Sequence, residues 1–197
     1  MTVANHISYV DVLLIAAAVP TVFVTSAEVR DTPGLGFLCR MAGCAFVDRR
    51  SAHGLRSEIS ALASVIRSGF HVVVFPEATS SRGDVVLPFK AALFEAARLS
   101  GRPLRVAVVD YDAQARAQVS YADNDRFVPH LLQLVGRQGT SASVRWVAKE
   151  VTPGARPARE LADWAHEVIS SGRGTRASPS AETNTEVRRS SGLSSAS

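Results

Sequence analysis

From His71 to Phe75 the chain reads HVVVF, where after the histidine comes an apolar, mostly β-branched run that Pro76 stops. A run with no polar side to turn toward water predicts a strand buried on both faces. Such a strand needs cover above and below, and the surrounding sequence offers it as helices. Ser57 to Ser68 sets Ile59, Leu62, Ala63 and Ile66 on one helical face before Gly69. Pro88 to Ser100 predicts a helix opened by proline and closed before Gly101. Arg159 to Ile169 carries Leu161, Trp164, Ala165 and Val168 on one stripe. Further strands are predicted at Val22 to Val24, Leu104 to Val109 and Ser143 to Val147. A brief strand at Thr2 to Ala4 leads into an apolar helix. Strand alternating with helix predicts an α/β single domain with a largely parallel mixed sheet flanked by helices. Ligand sites in such sheets gather at the carboxyl ends of the strands.

The chain has 197 residues, enough for one sizeable core and cramped for two. That domain is expected over residues 1–170. From 171 to 197 the sequence is Ser, Thr, Gly, Pro and Arg with almost no large apolar residue, so a disordered tail is expected. Cys39 and Cys44 are too few for a disulfide framework and wrongly spaced for a zinc pair. Buried thiols in a reducing compartment are expected, and no metal site. The longest uninterrupted apolar run, Val12 to Val19, falls short of the ~20 residues that span a bilayer, and nothing resembles a secretory signal. A cytoplasmic protein touching membranes only peripherally is therefore expected. Its net charge of +4 suits an anionic membrane surface or an anionic substrate. No basic cluster is interleaved with aromatics, so a nucleic-acid partner is not expected.

Three stretches carry chemistry. Asn5-His6-Ile7-Ser8-Tyr9-Val10-Asp11 lies where the first strand gives way to the apolar helix. Moving an acyl group onto an alcohol needs a base, because a free hydroxyl is a poor nucleophile at neutral pH. A histidine within reach can take that proton, and a carboxylate on its second ring nitrogen fixes the tautomer. Four intervening residues bring the pair together if they straddle a strand-to-helix turn. Alone, the spacing is a common accident. Phe46-Val47-Asp48-Arg49 ends a short apolar run in a guanidinium, either a fork for a phosphate or a solvated strand-end arginine. Phe75-Pro76-Glu77-Ala78-Thr79-Ser80-Ser81-Arg82-Gly83 follows the buried strand, as a polar site loop or an ordinary turn. His53, His71, His130 and His166 read as structural or surface histidines, and Trp146 and Trp164 as packing.

In order and spacing the three motifs resemble those of the lysophosphatidic acid (1-acylglycerol-3-phosphate) acyltransferases, within the glycerolipid acyltransferase family. The family's Asn-His-x-Ser-x-x-Asp is matched at every fixed position from Asn5 to Asp11. Its Phe-Ile-Asp-Arg is similar to Phe46 to Arg49. Its Phe-Pro-Glu-Gly-Thr followed by serine is similar to Phe75 to Ser81, with Pro88-Phe89-Lys90 as a common continuation. Residues 2 to 111 carry the resemblance closely, and it runs loosely to 170 through Asn124 to Leu134. It implies a lysophospholipid acyltransferase of phospholipid biosynthesis, moving a fatty acyl group from acyl-CoA or acyl-ACP to a lysolipid hydroxyl at the inner face of the membrane. His6 would be the general base and Asp11 its orienting partner, with no covalent acyl-enzyme and no cofactor. Ser8 would line the acceptor pocket, with Phe46 beside it and Arg49 holding the acceptor's phosphate. Glu77, Ala78 and Thr79 would shape that pocket, and Arg82 would add positive charge.

The chain departs from the pattern in several places. Ala78 stands where the third motif has glycine, Ser80 where a basic residue is common, and Val106 where a fourth motif has proline. Ser26 stands where a lysine is common. Members carry an apolar or amphipathic region ahead of the first motif, and here only five residues precede His6, so those membrane-binding helices are expected to be missing. A catalytically weak, lipid-binding remnant of the same fold is the alternative. A metal hydrolase lacks further clustered ligands, and a Ser8 nucleophile lacks its elbow pattern.

Overall fold

In the computed structural model, which describes residues 1–47, 52–121, 126–136 and 141–173, six strands form one sheet. They are β1 (Thr2–Ala4), β2 (Val22–Ser26), β3 (Ala45–Val47), β4 (Val72–Val74), β5 (Leu104–Tyr111) and β6 (Ala142–Val151). Their order is β3-β2-β4-β1-β5-β6, parallel throughout except for β6, which runs antiparallel to β5 at one edge. The expected α/β single domain with a largely parallel mixed sheet is what forms.

Alternate side chains of the inner strands go to opposite faces. Val3, Val72, Val74, Val106 and Val108 join one core, against α4 (Ala52–Arg67), α5 (Glu95–Ser100) and α8 (Ala158–Gly172). Ile59, Leu62 and Ile66 of α4 and Leu161, Ala165 and Ile169 of α8 supply its other side. Ala4, Val73, Ala107 and Val109 join a second core, with Ile15 of α1 (Val10–Ala18), Phe23, and Ala115 and Val119 of α6 (Ala113–Val119). Val72, Val73 and Val74 have no exposed surface at all, which is why their segment carries no polar residue. Short helices α2 (Ala27–Arg30) and α3 (Leu35–Met41) follow β2, and α7 (Phe127–Val135) precedes β6. Among the described residues no helix is long and apolar enough to cross a membrane.

Two boundaries differ from expectation. The helix expected from Pro88 begins as a 3₁₀ turn at Ala91–Phe94 and becomes α5 only at Glu95. Lys90 is held in an extended conformation, φ −77° and ψ 100°, with its N–H on the Pro76 carbonyl at 2.8 Å, so no helix can run through it. At the other end α8 continues through Ser171 to Gly172, past the boundary expected at 170, and the Gly172 carbonyl accepts from the Arg145 guanidinium. Residues 174–197, where the tail is expected, lie outside the described residues.

His71 ties the starts of β1 and β2 together, its two ring nitrogens on the hydroxyls of Thr2 and Thr21, each at 2.8 Å. Burial, with the nearby Arg105 charge contributing, holds its pKa below the usual histidine range. A lowered folded-state value means the unfolded chain binds the extra proton first. The stability His71 contributes is therefore present above about pH 6.5 and is lost as pH falls through the folded value. Urea unfolding at pH 7.5 and 5.5 is expected to show a larger loss for the wild type than for His71→Gln. Equal losses would remove His71 from the acid response.

Candidate active site

Because β1 lies between β4 and β5, the loops after these three strands meet at one end of the sheet. β1 is short, and the Asn5 side chain carries its pairing one step further. Its amide donates to the Val109 carbonyl at 2.8 Å, and its oxygen accepts from Val109 N–H at 2.9 Å. The chain then turns, Asp11 N–H returning to the Ser8 carbonyl at 3.0 Å as α1 begins.

That turn aims the Asp11 carboxylate backward. Oδ2 accepts from Ile7 N–H at 2.6 Å, from Ser8 N–H at 2.9 Å and from Nδ1 of His6 at 2.9 Å. Oδ1 accepts from the Tyr111 hydroxyl at 2.6 Å, at the end of β5. Asp11 is fully buried. Burial first, and then the Asp11 charge, hold the Tyr111 hydroxyl well above its usual pKa, so it stays a donor. Surrounded by donors, the carboxylate accepts from His6 as well. Nδ1 therefore carries the hydrogen and Nε2 presents a lone pair. Nε2 has no hydrogen-bond partner among the described residues. The imidazole lies on the Phe75 ring, with centroids 4.2 Å apart and planes 19° from parallel.

The His6 backbone is held as firmly as its ring. Its N–H donates to Glu77 Oε1 at 2.7 Å, and its carbonyl accepts from Ser81 N–H at 3.1 Å. Glu77 Oε2 accepts from Leu87 N–H at 2.8 Å, so one carboxylate joins the loops after β1 and β4 to the segment leading into α5. Burial pushes the Glu77 carboxyl above its usual pKa against the pull of these two amides. Gly83 closes the loop with φ of +74°, and a Cβ there would stand 3.0 Å from Ile7 Cδ1, so glycine serves both backbone shape and close packing.

A cavity of about 290 Å³ opens beside His6, walled by Phe23, Val29 and Leu35 on one side and by Ala78, Thr79 and Tyr121 on another. Of the residues expected at the site, His6, Ala78 and Thr79 border it. Ser8 and Glu77 were expected in its wall and lie behind it. Both are buried, Ser8 in the turn that starts α1 and Glu77 with both oxygens on backbone amides. Phe46 and Arg82 were also expected here and do not border it. Phe46 is half-buried beneath the Arg30 guanidinium, 5.0 Å from its ring centroid, and Arg82 is exposed. Arg49 lies outside the described residues. The free thiols Cys39 and Cys44 are in the cavity wall. Among the described residues no cluster of His, Cys, Asp and Glu could hold a metal ion.

Ala78 has φ of +64°, left-handed backbone that costs a residue with a Cβ about 1–2 kcal/mol. Ala78→Gly relieves this, less the ~0.4–1 kcal/mol that glycine's freer unfolded chain takes back. A thermal midpoint up to about 4 °C higher is expected from the ~1 kcal/mol left over. A lower midpoint would show that the Ala78 methyl packs usefully.

Sequence reasoning missed Tyr111, whose only signal was a polar aromatic residue at a strand's carboxyl end. It also missed the cluster beside the cavity in which Tyr9 donates to Nδ1 of His130 at 2.8 Å while Nε2 of His130 faces the Ser120 carbonyl at 3.1 Å. A carbonyl only accepts, so His130 carries its hydrogen on Nε2 and is committed to structure.

Residues 1–109 match the family model described as Acyltransferase. The chain is 36% identical over 126 residues to a 1-acyl-sn-glycerol-3-phosphate acyltransferase of Neisseria gonorrhoeae, covering 62% of this chain and 49% of that protein. It is 32% identical over 141 residues to a lyso-ornithine lipid O-acyltransferase of Pseudomonas aeruginosa, covering 70% of this chain and 54% of the relative. The crystal structure of the 1-acyl-sn-glycerophosphate acyltransferase of Thermotoga maritima superposes with a TM-score of 0.59 at 25% identity, over 87% of this chain and 63% of the other. The chain thus spans about half the length of these curated relatives.

Proposed function

This chain belongs to the glycerolipid acyltransferase family, and we propose that it transfers a fatty acyl group from a thioester donor to the hydroxyl of a lysolipid. The observation that carries this reading is a histidine whose Nδ1 is held by a buried carboxylate 2.9 Å away while the ring borders a cavity walled by apolar and polar side chains. The acceptor hydroxyl gives its proton to Nε2 as its oxygen bonds to the thioester carbonyl carbon. Asp11 stabilises the imidazolium that results. When the carbon–sulfur bond breaks, the leaving thiolate takes the proton from Nε2 and His6 returns to its starting form. The side chain of Ser8 takes no part, and Glu77 keeps His6 in place through the backbone. The catalytic domain runs through the end of α8 at Gly172, and it acts at a membrane surface on acyl-CoA or acyl-ACP.

The test offers purified protein a panel of lysolipids, lyso-ornithine lipid and 1-acylglycerol-3-phosphate among them, with radiolabelled acyl-CoA or acyl-ACP, and separates products by thin-layer chromatography. Transfer to at least one acceptor is expected. Folded protein that transfers to none would favour the lipid-binding remnant.

Arg49 follows β3 in sequence and is the residue proposed to hold the acceptor's anion. A guanidinium fork on a partly desolvated phosphate contributes about 1.5–3 kcal/mol. Arg49→Ala is therefore expected to raise the acceptor KM by roughly ten- to a hundredfold and leave the donor KM little changed. Lysine should rescue poorly because it lacks the planar fork. Equal effects on both substrates would move Arg49 out of this role.

A further inference from the structure

α3 has two working faces. Leu35 and Cys39 turn inward to the cavity that holds His6, while Phe37, Arg40 and Met41 turn outward. Phe37 is 63% exposed and Met41 72%. α7 repeats the pattern: Phe127 is buried, while Leu132 and Val135 are 68% and 70% exposed and share a helical face with Val128. Single exposed apolar residues are ordinary, but these lie on two helices that begin side by side. A Cβ on Gly34, just ahead of α3, would stand 3.1 Å from the Phe127 ring and 3.5 Å from Val128. Neither α3 nor α7 contains an acidic residue; α3 carries the exposed Arg40 beside its apolar face, and the exposed Arg126 caps the start of α7.

From this we infer that the outer faces of α3 and α7 form the surface by which the protein docks on an anionic lipid bilayer. Apolar side chains enter the headgroup boundary there while the two arginines meet lipid phosphates. The inference rests on the proposed lysolipid acyl transfer and adds a place to it: α3 lines the cavity with Leu35 and Cys39 and offers Phe37 and Met41 to the bilayer, so the docked membrane lies close to His6. The charge pattern favours this occupant over a second copy of the chain, whose matching face would set arginine against arginine.

Sedimentation of the full chain with phosphatidylcholine vesicles, with and without phosphatidylglycerol, tests this. Wild type is expected to bind the anionic vesicles. The triple variant Phe37→Ser, Leu132→Ser, Val135→Ser should bind them at least about tenfold more weakly. The double variant Arg40→Gln, Arg126→Gln should bind them about tenfold to thirtyfold more weakly and neutral vesicles as wild type does. Because these side chains are exposed, both variants should keep the wild-type thermal midpoint. A wild type that ignores vesicles, or a triple variant that binds them unchanged, would overturn the inference. So would a wild-type dimer by light scattering that the triple variant makes monomeric, since the face would then belong to a second copy. His6→Ala keeps the fates of the two proposals separate, because it should bind vesicles like wild type whether or not acyl transfer is found. Vesicle binding through this face without transfer would sink the activity alone, and transfer by a protein that binds vesicles elsewhere would sink the face alone.

Discussion

If His6 is the base proposed above, replacing it with alanine is expected to lower kcat by about 10²–10⁴ and leave lysolipid binding nearly intact, because a base acts on a proton rather than on the lipid. Asp11→Asn should lose activity on a similar scale. The amide keeps the size of the side chain but can donate toward Nδ1, which favours the wrong imidazole tautomer. It would also face the Tyr111 hydroxyl and two backbone N–H groups, all of which now donate to the carboxylate. Since the pair acts as a unit, the double variant should be little slower than the slower single one. Steady-state rates of the three purified variants, with one acceptor and one donor, decide the matter. Additive losses would uncouple the pair. Undiminished turnover by His6→Ala would end the base mechanism.

The second large effect is on folding. Glu77→Ala strips the partner from two backbone amides, those of His6 and Leu87, which pair with a nearly buried carboxylate. Each unsatisfied buried donor costs about 1–3 kcal/mol, so a loss of about 2–6 kcal/mol is expected. Against the ~5–15 kcal/mol typical of a whole domain, that is a large fraction. Urea unfolding measures it. A loss below about half a kcal/mol would mean that water replaces the carboxylate and that Glu77 is not the clamp described.

How far the sequence could be read depended on the reach of each interaction. The strands at Val72 to Phe75 and Leu104 to Val109 were legible because burial on both faces forces a run of apolar residues, broken in the second only by the exposed Arg105. The His6–Asp11 pair was legible because one turn closes it. Tyr111 reaches Asp11 across 100 residues and only because β5 lies beside β1, a fact no local pattern contains. Glu77 was legible as a motif residue but not as a clamp, since its partners are backbone amides that any residue could supply. The late start of α5 has the same kind of cause, because Lys90 is held extended against the loop after β4, with its N–H on the Pro76 carbonyl. α3 and α7 gave no helical signal. α3 is short, with Gly36 inside it, and α7 has Pro129 in its first turn, where the missing N–H costs little. Their apolar residues show on the outer face, so the usual sign of an inward stripe was scrambled.

The Asn5 amide has a consequence for which changes this chain can inherit. Val109 offers a carbonyl and an N–H, and one side chain answers both. Aspartate would set an acceptor against the carbonyl, serine is too short to serve the two groups at once, and glutamine overshoots by a methylene. No conservative replacement serves both groups at this position, although Asn5 does not border the cavity. The residues of the cavity wall can change one at a time without disturbing this pairing. Asn5 cannot drift without first rebuilding how β1 ends.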